Sequence, residues 1–514
     1  MPVIKKVALI EPQPPGYHIY SRCALPRLGL PILGAILKRR GIEVSIHVQD
    51  FQPIDFSEVL SADLVGISTT TSTVPEAYRI AERVRQAGIP VVVGGPHVTF
   101  MADEALEYAD FCVRGEGEYT FPELIDAIES SALRQNKDAG FGRAASDTGF
   151  GSILGLSYKI GGQVRHNSDR GLAADLDALP FPDLSLIRGW GKVSINPVIT
   201  SRGCPYDCSF CSVTPMFGRA CRHRSPESVV EELQQIEHGG VFFYDDNFAA
   251  NRNRTKALLE MMISKGINRP WSAQVRAEVT RDRELMELFR KAHCWLVYVG
   301  FESASQETLQ EFNKHQTVAD MADAIRVFHE HDILVHGMFV LGAESDNARS
   351  IRETTAFALK HKIDTVQFMV LTPLPGTTYY HDLERQNRLL TRDWQLYDGH
   401  HVVYQPQRMS PYELQREAFR AMKRFYSVVE CLRMLVGLDF VKFLGKLNWN
   451  LLLGRWHRAK WELRTRGRQW LYRVYGHVLI RRFEAANKER TKALAELTRG
   501  IRASLGSSSR ESRG

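Results

Sequence analysis

The stretch that decides the reading is Ser201-Arg202-Gly203-Cys204-Pro205-Tyr206-Asp207-Cys208-Ser209-Phe210-Cys211. It places three cysteines at spacing C-x3-C-x2-C directly after the apolar run Val198-Ile199-Thr200. Three thiolates on one loop can each take one iron of a cubane cluster, whereas a closed cluster needs four ligands. The fourth iron is then open to chelate a substrate and pass it an electron. Cys221 follows ten residues after Cys211, so a four-cysteine zinc site or a closed cluster is the competing reading. Zinc cysteines tend to come as two short paired motifs, and Cys221 has no such partner. Cys23, Cys112, Cys294 and Cys431 stand alone and read as small buried apolar residues.

Working outward, the run at 198–200 is the first of six β-like segments, followed by 241–244, 271–275, 295–299, 335–341 and 366–371. Helix-like stretches at 226–237, 254–265, 283–291, 318–331 and 348–360 separate them. Six β/α units are too few for a closed eight-stranded barrel and predict an open partial one, with its chemistry at the carboxyl ends of the strands. Those ends carry Tyr244-Asp245-Asp246-Asn247-Phe248, then Gln274 and Arg276, then Gly300-Phe301-Glu302-Ser303. The last is followed by Leu371-Thr372-Pro373. For Arg276 and Glu302 a structural ion pair across neighbouring strands is an alternative to a ligand role.

The first 130 residues alternate β-like runs (7–10, 43–48, 64–68, 90–93) with helix-like ones (30–40, 75–87), which predicts a doubly wound parallel sheet. Ligands bind such sheets at the carboxyl ends of the strands. Those ends hold Ser68-Thr69-Thr70-Thr71, Gly94-Gly95-Pro96-His97 and Gly115-Glu116-Gly117-Glu118. Glycine there lets a ligand approach the backbone, although ordinary turns have the same composition. The Gly-, Ala-, Ser- and Asp-rich stretch near 131–151 reads as linker. The expected domains are therefore a sheet domain at 1–130, a linker at 131–190, a partial barrel at 191–405 and a helical basic extension at 406–514.

The cysteine spacing, the aromatic Phe210 before the last cysteine and the place after barrel strand one resemble the radical S-adenosylmethionine (SAM) superfamily. The resemblance implies a 4Fe-4S cluster on Cys204, Cys208 and Cys211. It also implies a SAM site built from Phe210, Asp246, Gln274, Arg276 and Glu302, with 371–373 near the adenine. The first domain, with Leu28-Gly29-Leu30-Pro31 and the three loops above, resembles the cobalamin-binding domain fused ahead of many such barrels. Ser68, Thr69, Gly94, Gly95, Gly115 and Glu116 are then the expected cobalamin contacts. The Asp-x-His-x-x-Gly motif that supplies an axial cobalt ligand in many cobalamin proteins is absent, and His97 reads as a loop residue. Cobalamin with no protein histidine below it, or a vestigial sheet that binds none, are the two consequences. The likeness implies one-electron cleavage of SAM to a radical that takes hydrogen from an unactivated C–H.

The expected activity is a cobalamin-dependent C-methyltransferase acting on an unactivated carbon of a hydrophobic small molecule, a lipid among the candidates, served by a one-electron donor such as flavodoxin or ferredoxin. Ring closure, carbon–carbon coupling or oxidation without methyl transfer is the alternative within enzymes. A tRNA methylthiotransferase would carry a second cysteine triad in its first domain, where only Cys23 and Cys112 stand. A membrane- or nucleic-acid-docking protein with a structural cluster is the non-enzyme alternative.

Length and composition agree. At 514 residues, 44% hydrophobic and 24% charged, the chain has room for about three globular domains. Its charge is uneven. Residues 431–514 carry 19 Lys and Arg against 6 Asp and Glu, a net of +13, while residues 1–430 carry 47 against 53, a net of −6. In the tail, basic residues interleave with Trp449, Trp456, Trp461 and Trp470. Such a stretch suits a helix packed on the barrel or peripheral contact with an anionic membrane, and nucleic acid less well. No leader-like segment and no apolar run of about 18 residues is present, so the expected location is the cytoplasm, with membrane association through the tail.

Overall fold

The computed structural model describes residues 4–16, 25–134, 149–192, 195–430 and 456–511. The first sheet contains β1 (Lys6–Glu11), β2 (Glu43–Val48), β3 (Leu64–Ser68), β4 (Val91–Gly94) and β5 (Phe111–Val113), all parallel, in the order β2-β1-β3-β4-β5. Strand alternation sets its two faces. Val7, Leu9, Leu64 and Val92 pack under the helices Gly29–Arg39 and Gly117–Arg134, and Ala8, Ile10, Val65, Ile67, Val91 and Val93 under Val74–Gln86 and Ala102–Tyr108. The strand order reverses between β1 and β3, the place where doubly wound sheets open a crevice.

The expected linker at 131–190 is corrected by two further strands of this sheet. β6 (Leu156–Ile160) pairs antiparallel with β5, and β7 (Gln163–His166) antiparallel with β6. Gly161 and Gly162, both at positive φ, make the two-residue turn between them, a geometry that matches strand twist and needs glycine. Leu156 and Tyr158 are buried in the core, so this segment belongs to the sheet domain. Residues 135–148, the heart of the expected flexible stretch, lie outside the described residues.

The second sheet has six parallel strands in sequential order: β8 (Ile195–Val198), β11 (Gly240–Phe243), β12 (Trp271–Val275), β13 (Cys294–Glu302), β14 (Leu334–Leu341) and β15 (Thr365–Val370). The two-residue strands β9 (Ser201–Arg202) and β10 (Arg222–His223) pair as a separate antiparallel ribbon. The partial barrel is as expected, except that its first strand ends at Val198. Ile199 and Thr200 leave the sheet because Asp245 takes the Thr200 amide at 2.6 Å and the Ser201 amide at 3.0 Å. One face of the sheet packs on the surrounding helices through residues such as Phe243, Val299, Val335 and Phe368. The other is the inner face of the barrel and carries Phe242, Tyr244, Gln274, Tyr298, His336, Met338, Gln367 and Met369, all only partly buried.

The two sheets are one packed body. Tyr380, Trp394, Leu396, Tyr397 and Val403, which follow the last barrel strand, are part of the core under the first sheet. The Trp394 indole donates to Glu104 at 3.0 Å. After the barrel, Ser410 and Glu413 form a reciprocal cap on the helix Pro411–Phe425. The helices Trp456–Ala486 and Lys488–Glu511 make up the basic extension. Its described part packs on the barrel: Phe483 is fully buried against His400, His401 and Phe419, and Arg473 lies over the Phe425 ring at 4.2 Å. No helix among the described residues is long and apolar enough to cross a membrane. Cys23, Cys431, Trp449 and the side chains of Trp456, Trp461 and Trp470 lie outside the described residues.

Candidate functional site

A cavity of about 370 Å³ lies between the two sheets at the carboxyl ends of their strands. From the first sheet it is lined by Leu9, Gly66, Ser68, Gly94, Gly95, Gly115 and Glu116 among others, and from the barrel by Tyr244, Asp246 and Gln274. Leu28, Leu33, Val92, Val113 and Phe121 extend it as an apolar slot between sheet and helices. At its floor a Cβ on Gly66 would stand 2.8 Å from Leu9. Glycines at the mouth, a strand glycine in the floor and apolar walls form a cradle that suits a large flat cofactor whose tail enters the sheet. The residues present therefore fit cobalamin.

Five of the six expected cobalamin contacts line this cavity; Thr69 does not. Thr69 is fully buried behind it, its hydroxyl 3.0 Å from the Gly94 carbonyl, and serves as backing for the Gly94-Gly95 turn. The Glu116 carboxylate is already committed to the chain, accepting from Arg202 at 3.0 Å, Arg222 at 2.8 and 2.9 Å and the Ala173 amide at 2.9 Å. Burial alone would raise its pKa; the Arg222 hydrogen bonds and the Arg202 charge outweigh that and hold it below the usual range. Arg202 also donates to Glu118 at 2.6 Å. These four charges tie the loop after β5 to the ribbon that precedes Cys204. His97 lies in the short helix Pro96–Phe100, buried, its ring nitrogens 3.3 Å from Thr71 and 3.4 Å from Glu104, and does not line the cavity.

Cys204, Cys208 and Cys211 are partly exposed on the loop after β9. Burial raises all three thiols, that of Cys211 to about 12, and Cys204 and Cys208 lie close enough to add to the Cys211 shift. At Cys208 the Lys314 charge opposes the rise. Among the described residues no three His, Cys, Asp or Glu side chains are gathered around one point. A cubane takes one soft thiolate per iron, and three partly exposed thiols on one loop supply that donor set. The loop is braced from the barrel. The Phe210 ring meets Phe312 edge-on at 4.8 Å, and Asn313 donates to the Asp207 carbonyl at 3.1 Å.

The expected SAM residues divide in two. Asp246 and Gln274 line the cavity. Burial, and then the charge of Asp245 behind it, push the Asp246 carboxyl up to about 6. Arg276 and Glu302 do not line it, and they do not pair with each other. Arg276 donates to Glu278 and to the Lys314 carbonyl, both at 2.6 Å, with its guanidinium 3.8 Å over the Tyr206 ring. Glu302, at φ 63°, accepts from Lys314 at 2.7 Å. Each is thus an ion-paired support on its own strand end. Arg202, Glu118 and Tyr244, quoted in the sequence only as parts of longer motifs, line the cavity, and Arg222 and Lys314, which sequence reasoning does not reach, support it. The Arg202 position beside Gly203-Cys204 was the one available signal.

A nucleotide-type sheet whose glycine loops face an open six-stranded barrel bearing a three-cysteine loop defines a two-cofactor radical enzyme. Known families agree: the B12 binding domain matches residues 22–125 and the radical SAM superfamily residues 198–358. An uncharacterized methyltransferase, PH0819 of Pyrococcus horikoshii, is 32% identical over 417 residues, covering 77% of this chain and 87% of that protein. The hopanoid C-3 methylase of Methylococcus capsulatus is 28% identical over 480 residues, 90% of this chain and 87% of that one. Among solved structures, the radical SAM methyltransferase TsrM of Kitasatospora setae, with cobalamin and a [4Fe-4S] cluster bound, superposes with a TM-score of 0.60 at 20% identity. It covers 81% of this chain and 85% of that one, a likeness of fold. The chain belongs to the radical SAM superfamily, in the group that carries a B12-binding domain ahead of the barrel. It is an enzyme of that family, whose cofactors are a 4Fe-4S cluster, SAM and cobalamin.

Proposed function

We propose that the chain is a cobalamin-dependent C-methyltransferase acting on an unactivated carbon of a large hydrophobic substrate. The observation that carries this reading is the single cavity walled jointly by the glycine loops of the first sheet and by Tyr244, Asp246 and Gln274 of the barrel. A methyl donor held on one wall and a substrate held on the other would meet there with little water between them. When bound, the cluster with SAM supplies a hydrogen-abstracting radical and cobalamin supplies the methyl group. The chain's own part is positional. Cys204, Cys208 and Cys211 hold the cluster, with Phe210 bracing their loop. Asp246 and Gln274 meet SAM, and Arg276 and Glu302 fix the strand ends around it. Ser68, Gly94, Gly95 and Gly115 receive cobalamin. SAM labelled in its methyl group tests the reaction: label in the product is expected, and full turnover without it would favour ring closure, coupling or oxidation.

The substrate reading is supported by the uncharged inner face of the barrel and by the outward face of the extension. Leu471, Tyr472, Tyr475 and Val478 are exposed on the helix Trp456–Ala486, with Arg481 and Arg482 exposed further along it. Apolar side chains beside cations suit the headgroup region of an anionic bilayer. A reduced cluster belongs in a reducing compartment, the cytoplasm, where a flavodoxin or ferredoxin can deliver the electron. Sedimentation with vesicles tests the membrane contact. Binding to phosphatidylglycerol vesicles, weakened by salt and by Leu471→Asp with Tyr475→Asp, is expected; equal recovery without vesicles would retire it.

A further inference from the structure

Residues 1–430 are acidic overall, yet one outer face of the barrel is strongly basic. The helices Ala348–Lys360 and Pro411–Phe425 pack side by side, and the stretches 348–362 and 411–425 together hold eight Lys and Arg against three Glu. A groove of about 300 Å³ lies between the two helices, bordered by Ile351, Arg352, Thr355, Glu417, Arg420 and Arg424 among others.

The groove is built round one carboxylate. The Glu417 side chain is fully buried and accepts from Arg352 at 3.1 and 3.2 Å, from Arg420 at 2.7 Å and from Arg416 at 3.4 Å. Three guanidiniums thus share a single negative charge. Arg424 brings a fourth to the same groove and has no ion pair among the described residues. Glu417 holds each partner by one or two N–H groups of the five that a guanidinium carries, and Arg352 and Arg420 remain 58% and 56% exposed. The mouth therefore presents fixed N–H donors and unneutralised positive charge. Planar, forked donors of this kind match the oxygens of a phosphate, and a second anion relieves the repulsion among them.

The groove opens beside the exposed apolar face of the extension. Directly after the helix Pro411–Phe425 come Val428 and Val429, which are 53% and 57% exposed. Between helix and valines, Tyr426 closes on Gly476, where a Cβ would stand 2.7 Å from the Tyr426 ring, and the Tyr426 carbonyl lies 3.0 Å from His477 Nδ1. Arg473 seals the contact from the other helix, donating to the Ile363 carbonyl at 2.8 Å. Val428 and Val429 are thereby set next to the segment that exposes Leu471, Tyr472, Tyr475 and Val478. Cations beside outward apolar side chains are the complement of a phosphate-bearing bilayer surface.

We propose that the groove between the helices Ala348–Lys360 and Pro411–Phe425 binds the phosphate of an anionic lipid headgroup, with Arg352, Arg416, Arg420 and Arg424 as its donors. This rests on the reading that the extension meets a membrane, and it moves the choice of lipid from the tail to the barrel. Glu417 is a positioning residue, since it aims the guanidiniums.

The test sediments the full-length holoenzyme with vesicles of phosphatidylcholine alone or mixed equally with phosphatidylglycerol. Arg420→Gln with Arg424→Gln leaves Glu417 paired to Arg352 and Arg416, and should weaken binding to the mixed vesicles by about 10–30-fold, the worth of two cations at a membrane surface. Lys159→Gln with Arg165→Gln, which removes the same charge from the exposed hairpin β6–β7, should change it less than about 2-fold. Equal weakening in the two pairs would reduce the effect to net charge and overturn the proposal. Inorganic phosphate serves as the free-anion arm. If it raises the unfolding temperature of the wild type and not of Arg420→Gln/Arg424→Gln, while vesicle binding is the same in both, the groove holds free phosphate and the lipid assignment falls. Vesicle binding lost in Leu471→Asp/Tyr475→Asp and untouched in Arg420→Gln/Arg424→Gln would overturn the groove alone, whereas a wild type that ignores the mixed vesicles would retire the membrane reading with it.

Discussion

Arg202 Nη2 donates to Glu118 Oε1 at 2.6 Å across the junction of the two sheets, with both side chains less than a tenth exposed. Arg202 stands two residues before Cys204, and Glu118 opens the helix behind the glycine loop of the cavity. The pair therefore couples the three-cysteine loop to the glycine loop at the mouth of the cavity. Arg202→Ala would leave Glu118 buried without its cation, while Glu116 would keep Arg222. A loss of about 3–5 kcal/mol in urea unfolding is expected, against a much smaller one for Glu118→Gln, which keeps shape and a hydrogen bond. Equal stabilities would mean that water solvates the junction.

Iron content separates the cysteines. Cys204→Ala, Cys208→Ala and Cys211→Ala should each lose most of the roughly four irons expected per reconstituted chain. Cys221→Ala should keep them, because Cys221 lies outside the C-x3-C-x2-C loop. Retained iron in all three triad variants would end the cluster assignment; iron loss in Cys221→Ala would restore the closed-cluster reading.

Stability should fall with acid in a window set by His336. Its folded pKa, about 4, lies below the ordinary 6.5, so the folded state binds fewer protons than the unfolded one between those values. The stabilisation is complete above pH 6.5 and is lost as pH drops towards 4. Between pH 6.5 and 5 that amounts to about 2 kcal/mol for this group. Urea midpoints measured across this range should slope less in His336→Gln than in the wild type. Parallel slopes would show that the ring is hydrated.

The docking of the extension is tested at Phe483, fully buried between His400, His401 and Phe419. Phe483→Ala should cost about 3–5 kcal/mol in whatever transition reports the helix. Hydrogen exchange should then rise at 471–498 and leave the first sheet unaffected. Protection unchanged in that helix would mean that it is held elsewhere.

Local patterns carried most of the fold. Runs such as Val7-Ala8-Leu9-Ile10 alternate between two cores, so their burial on both faces was readable residue by residue, and the cysteine spacing placed the cluster loop without any contact information. The hairpin β6–β7 was missed although Gly161-Gly162 is a strong turn signal, because its flanking strands are short and polar on one side. The charge network was beyond sequence reasoning. Glu118 and Arg202 lie 84 residues apart and Glu116 and Arg222 lie 106 apart, and nothing local marks which of many charges will meet. For the same reason the sequence does not show that Glu116, expected as a ligand contact and found lining the cavity, also has its carboxylate committed to two arginines.

Glycine at 95 offers the sharpest separation of the two cofactors. It sits at φ 104°, and a Cβ there would stand 2.4 Å from the Thr69 carbonyl oxygen and 2.9 Å from the Thr69 amide nitrogen. Both are backbone atoms of a fully buried residue and cannot step aside, so Gly95→Ala must displace the turn that forms the cavity mouth. Gly94 is the control, since its Cβ would find ordinary contact with the Val113 carbonyl at 3.6 Å and needs no unusual backbone. Gly95→Ala should lose cobalamin from the absorption spectrum while the iron content stays near wild type, because the cluster loop is braced by Phe312 and Asn313 of the barrel. Gly94→Ala should fold normally, and any fall in its cobalamin affinity then reports how closely the ligand approaches the backbone. Cobalamin bound equally by all three proteins would place the cofactor away from this mouth and with it undo the two-walled cavity on which the methyl-transfer reading stands.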